Sequence, residues 1–174
     1  EGVVHESFNL SKILNTPVLF VIENNLFASH MHISLRQTKP LISRFAVAND
    51  IPYELLDGND VLSVMSKSKE LINTIRQNKS PAILEAITYR WYGHVDWRED
   101  VDVGVERSMA DVQNWKLRDP LNRLSKSMID NNIWTQKEED ELVREIDQEI
   151  EKAWQKALKD PHPSSHFYLR NVLS

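Results

Sequence analysis

The chain has 174 residues, 41% hydrophobic and 27% charged, with a net charge of −5 and no cysteine. Such a composition suits one soluble globular domain with room for an appended region. The acidic balance speaks against a nucleic-acid partner, which needs a basic face, and without cysteine there are no disulfides, thiolate nucleophiles or thiolate zinc sites.

No apolar run approaches the roughly 18 residues of a membrane span, and no signal peptide is visible. We therefore expect no membrane association and a cytoplasmic location. The four glycines form neither a dinucleotide-binding G-x-G-x-x-G nor a P-loop. The chain opens on Glu1 without a methionine, so a piece of something longer is expected.

In chain order, Val4, Phe8, Ile13 and Leu14 mark a short amphipathic helix over 4–14. Pro17 precedes the β-branched apolar run Val18–Ile22, which suits a strand buried on both faces of a parallel sheet. The run halts at Glu23-Asn24-Asn25. Ligands of open α/β sheets sit outside the carboxyl ends of such strands, and amide oxygens are hard ligands suited to magnesium beside phosphate. An asparagine pair after a strand also makes an ordinary turn.

Residues 26–38 lack a period and read as a loop. Pro40 is expected to open a helix carrying Leu41, Phe45 and Ala48, ended by Asp50 and Pro52. Tyr53–Leu56 is a short strand and Asp57-Gly58 a turn, with Asn59 or Asp60 capping a helix that runs to about residue 78. Ala82–Thr88 is the third strand, and strands alternating with helices imply a parallel sheet.

The segment from Tyr89 to Asp100 carries aromatics, arginines, a histidine and acids without a period, so a functional loop is expected at this strand end. Beyond it the pattern is helical. Ser108 with Asp111 forms a capping pair, Asp119-Pro120 starts a helix, and Thr135 with Glu138 forms a capping box before a long helix with one charged, solvated face. Asp160-Pro161-His162-Pro163 closes it. The expected division is an α/β part over 1–107, including loop 89–107, and a helical region with a tail over 108–174.

Arg90 and His94 flank Gly93, and both can donate hydrogen bonds to phosphate or carboxylate oxygens. A surface loop with incidental charges is the plainer reading of the pair. His5, His30, His32 and His94 do not form a zinc motif, and no serine stands in G-x-S-x-G.

Taken in series, several motifs resemble a family. They are Glu1-Gly2-x-x-His5-Glu6-x-x-Asn9, Glu23-Asn24-Asn25-Leu26-Phe27-Ala28, Asp57-Gly58-Asn59-Asp60-Val61, Thr88-Tyr89-Arg90-x-x-Gly93-His94, Arg118-Asp119-Pro120 and Asp160-Pro161-His162-Pro163. Their order over roughly residues 1–165 is similar to that in alpha subunits of thiamine-diphosphate-dependent 2-oxo acid dehydrogenases, including the pyruvate, branched-chain and acetoin enzymes. Glu23 leans toward the pyruvate and acetoin branch.

The resemblance implies a partial, parallel-sheet thiamine-diphosphate-binding α/β fold, with 1–107 as its diphosphate-binding domain and a helical carboxyl-terminal region after it. It implies thiamine diphosphate and magnesium as cofactors. Asn25 and the Phe27 backbone carbonyl would be metal ligands; Phe27 stands where tyrosine is usual, a change a backbone contact tolerates. Arg90 and His94 would lie at the cofactor, with His94 catalytic near the reactive centre. A beta-type subunit would be the partner, in a heterotetramer, with self-association as the other arrangement and a lipoyl-bearing acyltransferase as a further partner.

Three departures stand out. The Gly-Asp-Gly that opens the family signature, and supplies a metal-binding aspartate, would fall just before Glu1, so this chain alone is expected to be inactive. Val95-Asp96-Trp97-Arg98-Glu99-Asp100 replaces a serine-rich stretch, and Leu35-Arg36-Gln37 replaces small residues. The alternative is a non-catalytic interaction module, or inactive fragment, that keeps the fold without binding cofactor.

Overall fold

The computed structural model describes residues 2–29, 31–95, 97–98 and 107–163. The chain forms two compact units, Glu1–Lys126 and Ser127–Ser174. Residues 108–126, placed with the helical region on composition, thus cluster with the α/β elements.

In the first unit the order is α1 (Gly2–Ile13), β1 (Leu19–Asn24), α2 (Arg44–Ala48), β2 (Tyr53–Asp57), α3 (Val61–Asn78), β3 (Ala82–Ile87), α4 (Met109–Lys116) and the start of α5 (Pro120–Asp130). The three strands form one parallel sheet in the order β1-β3-β2, with Leu19 opposite Ala82 and Tyr53 opposite Ile83. The α/β class expected from alternating strands and helices is the one the chain adopts.

Side chains alternate across β3, so it serves two cores. Ile83 joins Phe8, Ala46 and Ile51 on one face, with Phe20, Ile22 and Phe45 against them. Ala82 and Leu84 join Leu71 and Ile75 of α3 on the other, beside Leu19 and Leu56. Full burial of side chains such as Phe8 and Ile83 contributes about 1.5–3 kcal/mol each.

The strand buried on both faces is therefore β3, not β1. Val21, on the same face of β1 as Leu19, is 57% exposed. β1 also runs on through Glu23 and Asn24, which pair with Ala86 and Ile87.

Of the two cap candidates for α3, Asp60 serves, accepting from the Ser63 N–H at 3.1 Å. Helix α2 starts at Arg44 and not at Pro40. The N–H groups of Ile42 and Ser43 point instead at the Glu85 carboxylate. The loop over 26–38 contains a short 3-10 turn, Ile33–Leu35, capped by the His32 ring, and a bridge between Phe27 and His32.

Ser108 caps α4, and the Asp119 carboxylate takes the N–H groups of Leu121 and Asn122 at the start of α5. In the second unit α6 (Gln136–Lys159) opens on a complete capping box between Thr135 and Glu138. No described helix is long and apolar enough to cross a membrane.

Candidate functional site

The carboxyl ends of β1 and β3 lie side by side, because the Thr88 N–H donates to the Asn24 carbonyl at 3.0 Å. The polar turn after β1 and the aromatic segment after β3 therefore emerge together, as expected for a ligand edge.

The turn after β1 is built from its own amides. Asn24 Oδ1 accepts from the Leu26 N–H at 3.1 Å, and Asn25 Oδ1 accepts from the Phe27 N–H at 3.0 Å. Leu26 is held at φ 68°, in the left-handed region, a conformation that costs a side chain with a Cβ about 1 kcal/mol or more. The Ile33 N–H secures it from the other side, donating to the Leu26 carbonyl at 2.8 Å. Asn25 and Phe27, both half-buried, flank this strained residue. No hydrogen bond to the Phe27 carbonyl occurs among the described residues.

Behind the turn sits a residue that the sequence reading passed over. Glu85, in the middle of β3, is fully buried. Its Oε1 accepts from Asn24 Nδ2 at 2.7 Å and the Ile42 N–H at 3.0 Å, and its Oε2 accepts from the Ser43 N–H at 2.6 Å. Asn24 Nδ2 also donates to the Pro40 carbonyl at 3.0 Å. A lone acid inside Ala82-Ile83-Leu84-Glu85-Ala86 was the available signal, since buried acids need dedicated partners.

After β3, the Tyr89 ring meets Phe27 edge-on at 5.7 Å and stacks on Trp115 at 5.4 Å. Arg107, also overlooked, is 8% exposed. Its guanidinium donates to the carbonyls of Arg90, Trp91 and Tyr92, clasping both ends of loop 89–107. It also lies 6.0 Å from the Phe27 ring centre and 5.6 Å from that of Tyr89. Nothing local in the sequence around Arg107 announces this clasp. Leu26, Phe27, His32, Tyr89, Arg107 and Trp115 line a cleft of about 380 Å3.

Arg90 turns back on its own loop, its Nε donating to the Tyr92 carbonyl at 2.9 Å. His94 follows on the exposed part of that segment. The structure thus joins Asn25 and Phe27 in one turn and ties it to the Arg90 segment through Tyr89 and Arg107. Asp96, Glu99 and Asp100 lie outside the described residues.

The other histidines have separate duties. His5 packs edge-on against Phe45 at 4.2 Å, and His32 Nδ1 meets Ser34 Oγ at 2.8 Å. His30 is outside the described residues. No group of three or more His, Asp or Glu suited to a metal occurs among the described residues.

Two further motifs meet at the end of β2. Asn59, 4% exposed, donates through Nδ2 to the Arg118 carbonyl at 2.9 Å and accepts from the Thr88 hydroxyl at 2.8 Å. Gly58 lies against β3: a Cβ there would sit 2.9 Å from the Ile87 carbonyl oxygen. Asp57 pairs with Arg118 at 2.9 Å and Arg123 at 3.0 Å. Burial pushes its carboxyl up, but the Asn59 N–H and the two guanidiniums outweigh that and hold it below the ordinary 3.8. Arg118 in turn lies over Trp115, 4.2 Å from the ring centre.

The chain is of the α/β class, with polar turns gathered at the carboxyl edge of a parallel sheet, the edge at which ligands of open α/β sheets sit. The chain belongs to the family of dehydrogenase E1 components, which matches residues 1–166. It is 30% identical over 163 residues to the pyruvate dehydrogenase E1 component subunit alpha of Porphyra purpurea, covering 94% of this chain and 46% of that protein.

It is 32% identical over 173 residues to the chloroplastic subunit alpha-3 of the same component from Oryza sativa subsp. japonica (99% and 40% covered). Against the 3-methyl-2-oxobutanoate dehydrogenase subunit alpha of Mycobacterium tuberculosis it is 31% identical over 143 residues (82% and 38%). The chain spans less than half the length of these relatives. One of them is chloroplastic by name, so kinship does not single out the cytoplasm.

Proposed function

We propose that this chain supplies one arm of a magnesium–diphosphate clamp in a thiamine-diphosphate-dependent dehydrogenase that decarboxylates a 2-oxo acid. The observation that carries this reading is the Asn24–Phe27 turn at the carboxyl edge of the sheet, where the Phe27 carbonyl accepts no hydrogen bond among the described residues. An amide oxygen and a backbone carbonyl are hard neutral ligands that fit magnesium, an ion usually shared among one or two carboxylates, phosphate oxygens and water.

Asn25 Oδ1 and the Phe27 carbonyl would hold the metal, with a carboxylate from the Gly-Asp-Gly segment opposite them. Arg90 and the imidazole N–H of His94 would donate to diphosphate or substrate oxygens, and His94 would be the catalytic group nearest the reactive centre. The Arg107 guanidinium holds the Arg90–Tyr92 backbone from which His94 follows. Thiamine diphosphate, when bound, supplies the electron sink that decarboxylation needs.

The relatives' names favour pyruvate or a branched 2-oxo acid as substrate, and acetoin is the further choice. A beta-type subunit would complete the site in a heterotetramer, with a lipoyl-bearing acyltransferase taking the acyl group. By itself the chain would be inactive.

Trp115 stacks on Tyr89 beside the turn, so tryptophan fluorescence reports on the site. Titrating the full-length protein, assembled with its partner subunit, should give magnesium-dependent binding of thiamine diphosphate. Asn25→Ala should weaken it by at least about tenfold. Unchanged affinity in Asn25→Ala would sink the metal assignment, and absence of binding in the assembled protein would favour a non-catalytic module.

A further inference from the structure

We propose that Glu85 is a positioning residue for the metal-binding turn, acting through the Asn24 amide; this rests on reading the Asn25–Phe27 turn as the clamp arm. Glu85 touches neither Asn25 nor Phe27 in any described hydrogen bond. Together with the Pro40 carbonyl, it fixes which way round the Asn24 side chain sits. A carboxylate only accepts, so Nδ2 must face Glu85, at 2.7 Å, and Oδ1 must face the other way. The other way is the Leu26 N–H, 3.1 Å off.

That bond helps to keep Leu26 left-handed, and the left-handed residue turns the chain so that Asn25 and Phe27 stand either side of it. The same carboxylate ties down the Ile42 and Ser43 N–H groups, and Asn24 Nδ2 also reaches the Pro40 carbonyl. The approach to α2 is thereby pinned against the root of the turn. Every hydrogen bond described for Glu85 comes from an amide N–H, so the arrangement rests on fixed donors and not on a mobile cation.

Glu85→Met is the sharp test, because it nearly keeps length and volume and removes both acceptor oxygens. A thioether accepts too weakly to replace them, so Asn24 Nδ2, Ile42 and Ser43 lose their Glu85 bonds and Nδ2 keeps the Pro40 carbonyl. Asn24→Ala cuts the same link while leaving the Ile42 and Ser43 bonds to Glu85. Leu84→Ala, on the opposite face of β3, is a control for general loss of stability.

In the full-length assembled protein, residue-resolved hydrogen exchange at Leu26 should speed up by about tenfold or more in Glu85→Met and in Asn24→Ala. It should stay within about twofold in Leu84→Ala. Magnesium affinity, followed by direct titration of the metal in the presence of thiamine diphosphate, should fall by about tenfold in the first two variants and hold in the control.

Unchanged exchange at Leu26 in Glu85→Met, or equal acceleration in Leu84→Ala, would overturn the proposal. Faster Leu26 exchange with intact metal affinity, in a protein whose Asn25→Ala variant does lose metal, would overturn the link from turn to metal. If Asn25→Ala keeps the metal as well, the clamp reading fails, while the Leu26 response still supports Glu85's hold on the turn.

Discussion

Two acids near the sheet's carboxyl edge are held in opposite ways. Glu85 is buried and satisfied by three neutral N–H donors from Asn24, Ile42 and Ser43. Asp57, at the end of β2, is about a third exposed and flanked by the guanidiniums of Arg118 and Arg123. Fixed donors in a dry interior set geometry, and their loss leaves orphaned polar groups. Guanidinium pairs near water add modest energy that salt can screen.

The largest break in this comparison is Glu85→Ala, which takes an acceptor from the Asn24, Ile42 and Ser43 N–H groups. We expect a loss of about 3 kcal/mol or more, seen as a lower midpoint in chemical denaturation and barely changed by added salt. A loss close to zero would mean that water reaches the site.

Next is Asp57→Asn, expected to cost about 1 kcal/mol after allowance for solvent screening. Its penalty should shrink in concentrated salt, whereas that of Glu85→Ala should not.

The smallest effect is in pH. The Asp57 carboxyl is held below its ordinary 3.8, so its stabilisation is fully present above that value and is lost as pH falls through the lower folded value. The stability gap between the native protein and Asp57→Asn should therefore be flat near neutrality and close in acid. A gap that closes instead on raising the pH would reverse the assignment.

The same contrast separates what was legible in the sequence from what was not. Local signals were reliable: the period of α3, the apolar run of β3, the Thr135–Glu138 box and the Ser108 cap follow from side chains near one another in sequence. Helix α2 did not begin at Pro40, because the Ile42 and Ser43 N–H groups are claimed by an acid more than forty residues away. β1 read as doubly buried because Val18–Ile22 is apolar, yet Val21 is left exposed on one face.

At the site, Asn25, Phe27 and Arg90 stood out through strand-end position and motif. Glu85 and Arg107 act through distant carbonyls and amides, which a single sequence does not pair. The Asp57-Gly58-Asn59 and Arg118-Asp119-Pro120 motifs were visible separately, and folding joins them through Asn59 and Asp57.

The strand order carries a consequence for how the chain is made. β3 is synthesised last of the three strands and ends between the other two. Until residues 82–87 emerge from a ribosome, β1 and β2 lack the strand that pairs with both, and the apolar Leu19–Ile22 edge must wait for it. Both pairings are parallel and join residues far apart in sequence, which makes assembly slow. The sheet, the buried carboxylate and the turn it directs therefore all depend on the last-made of these three strands.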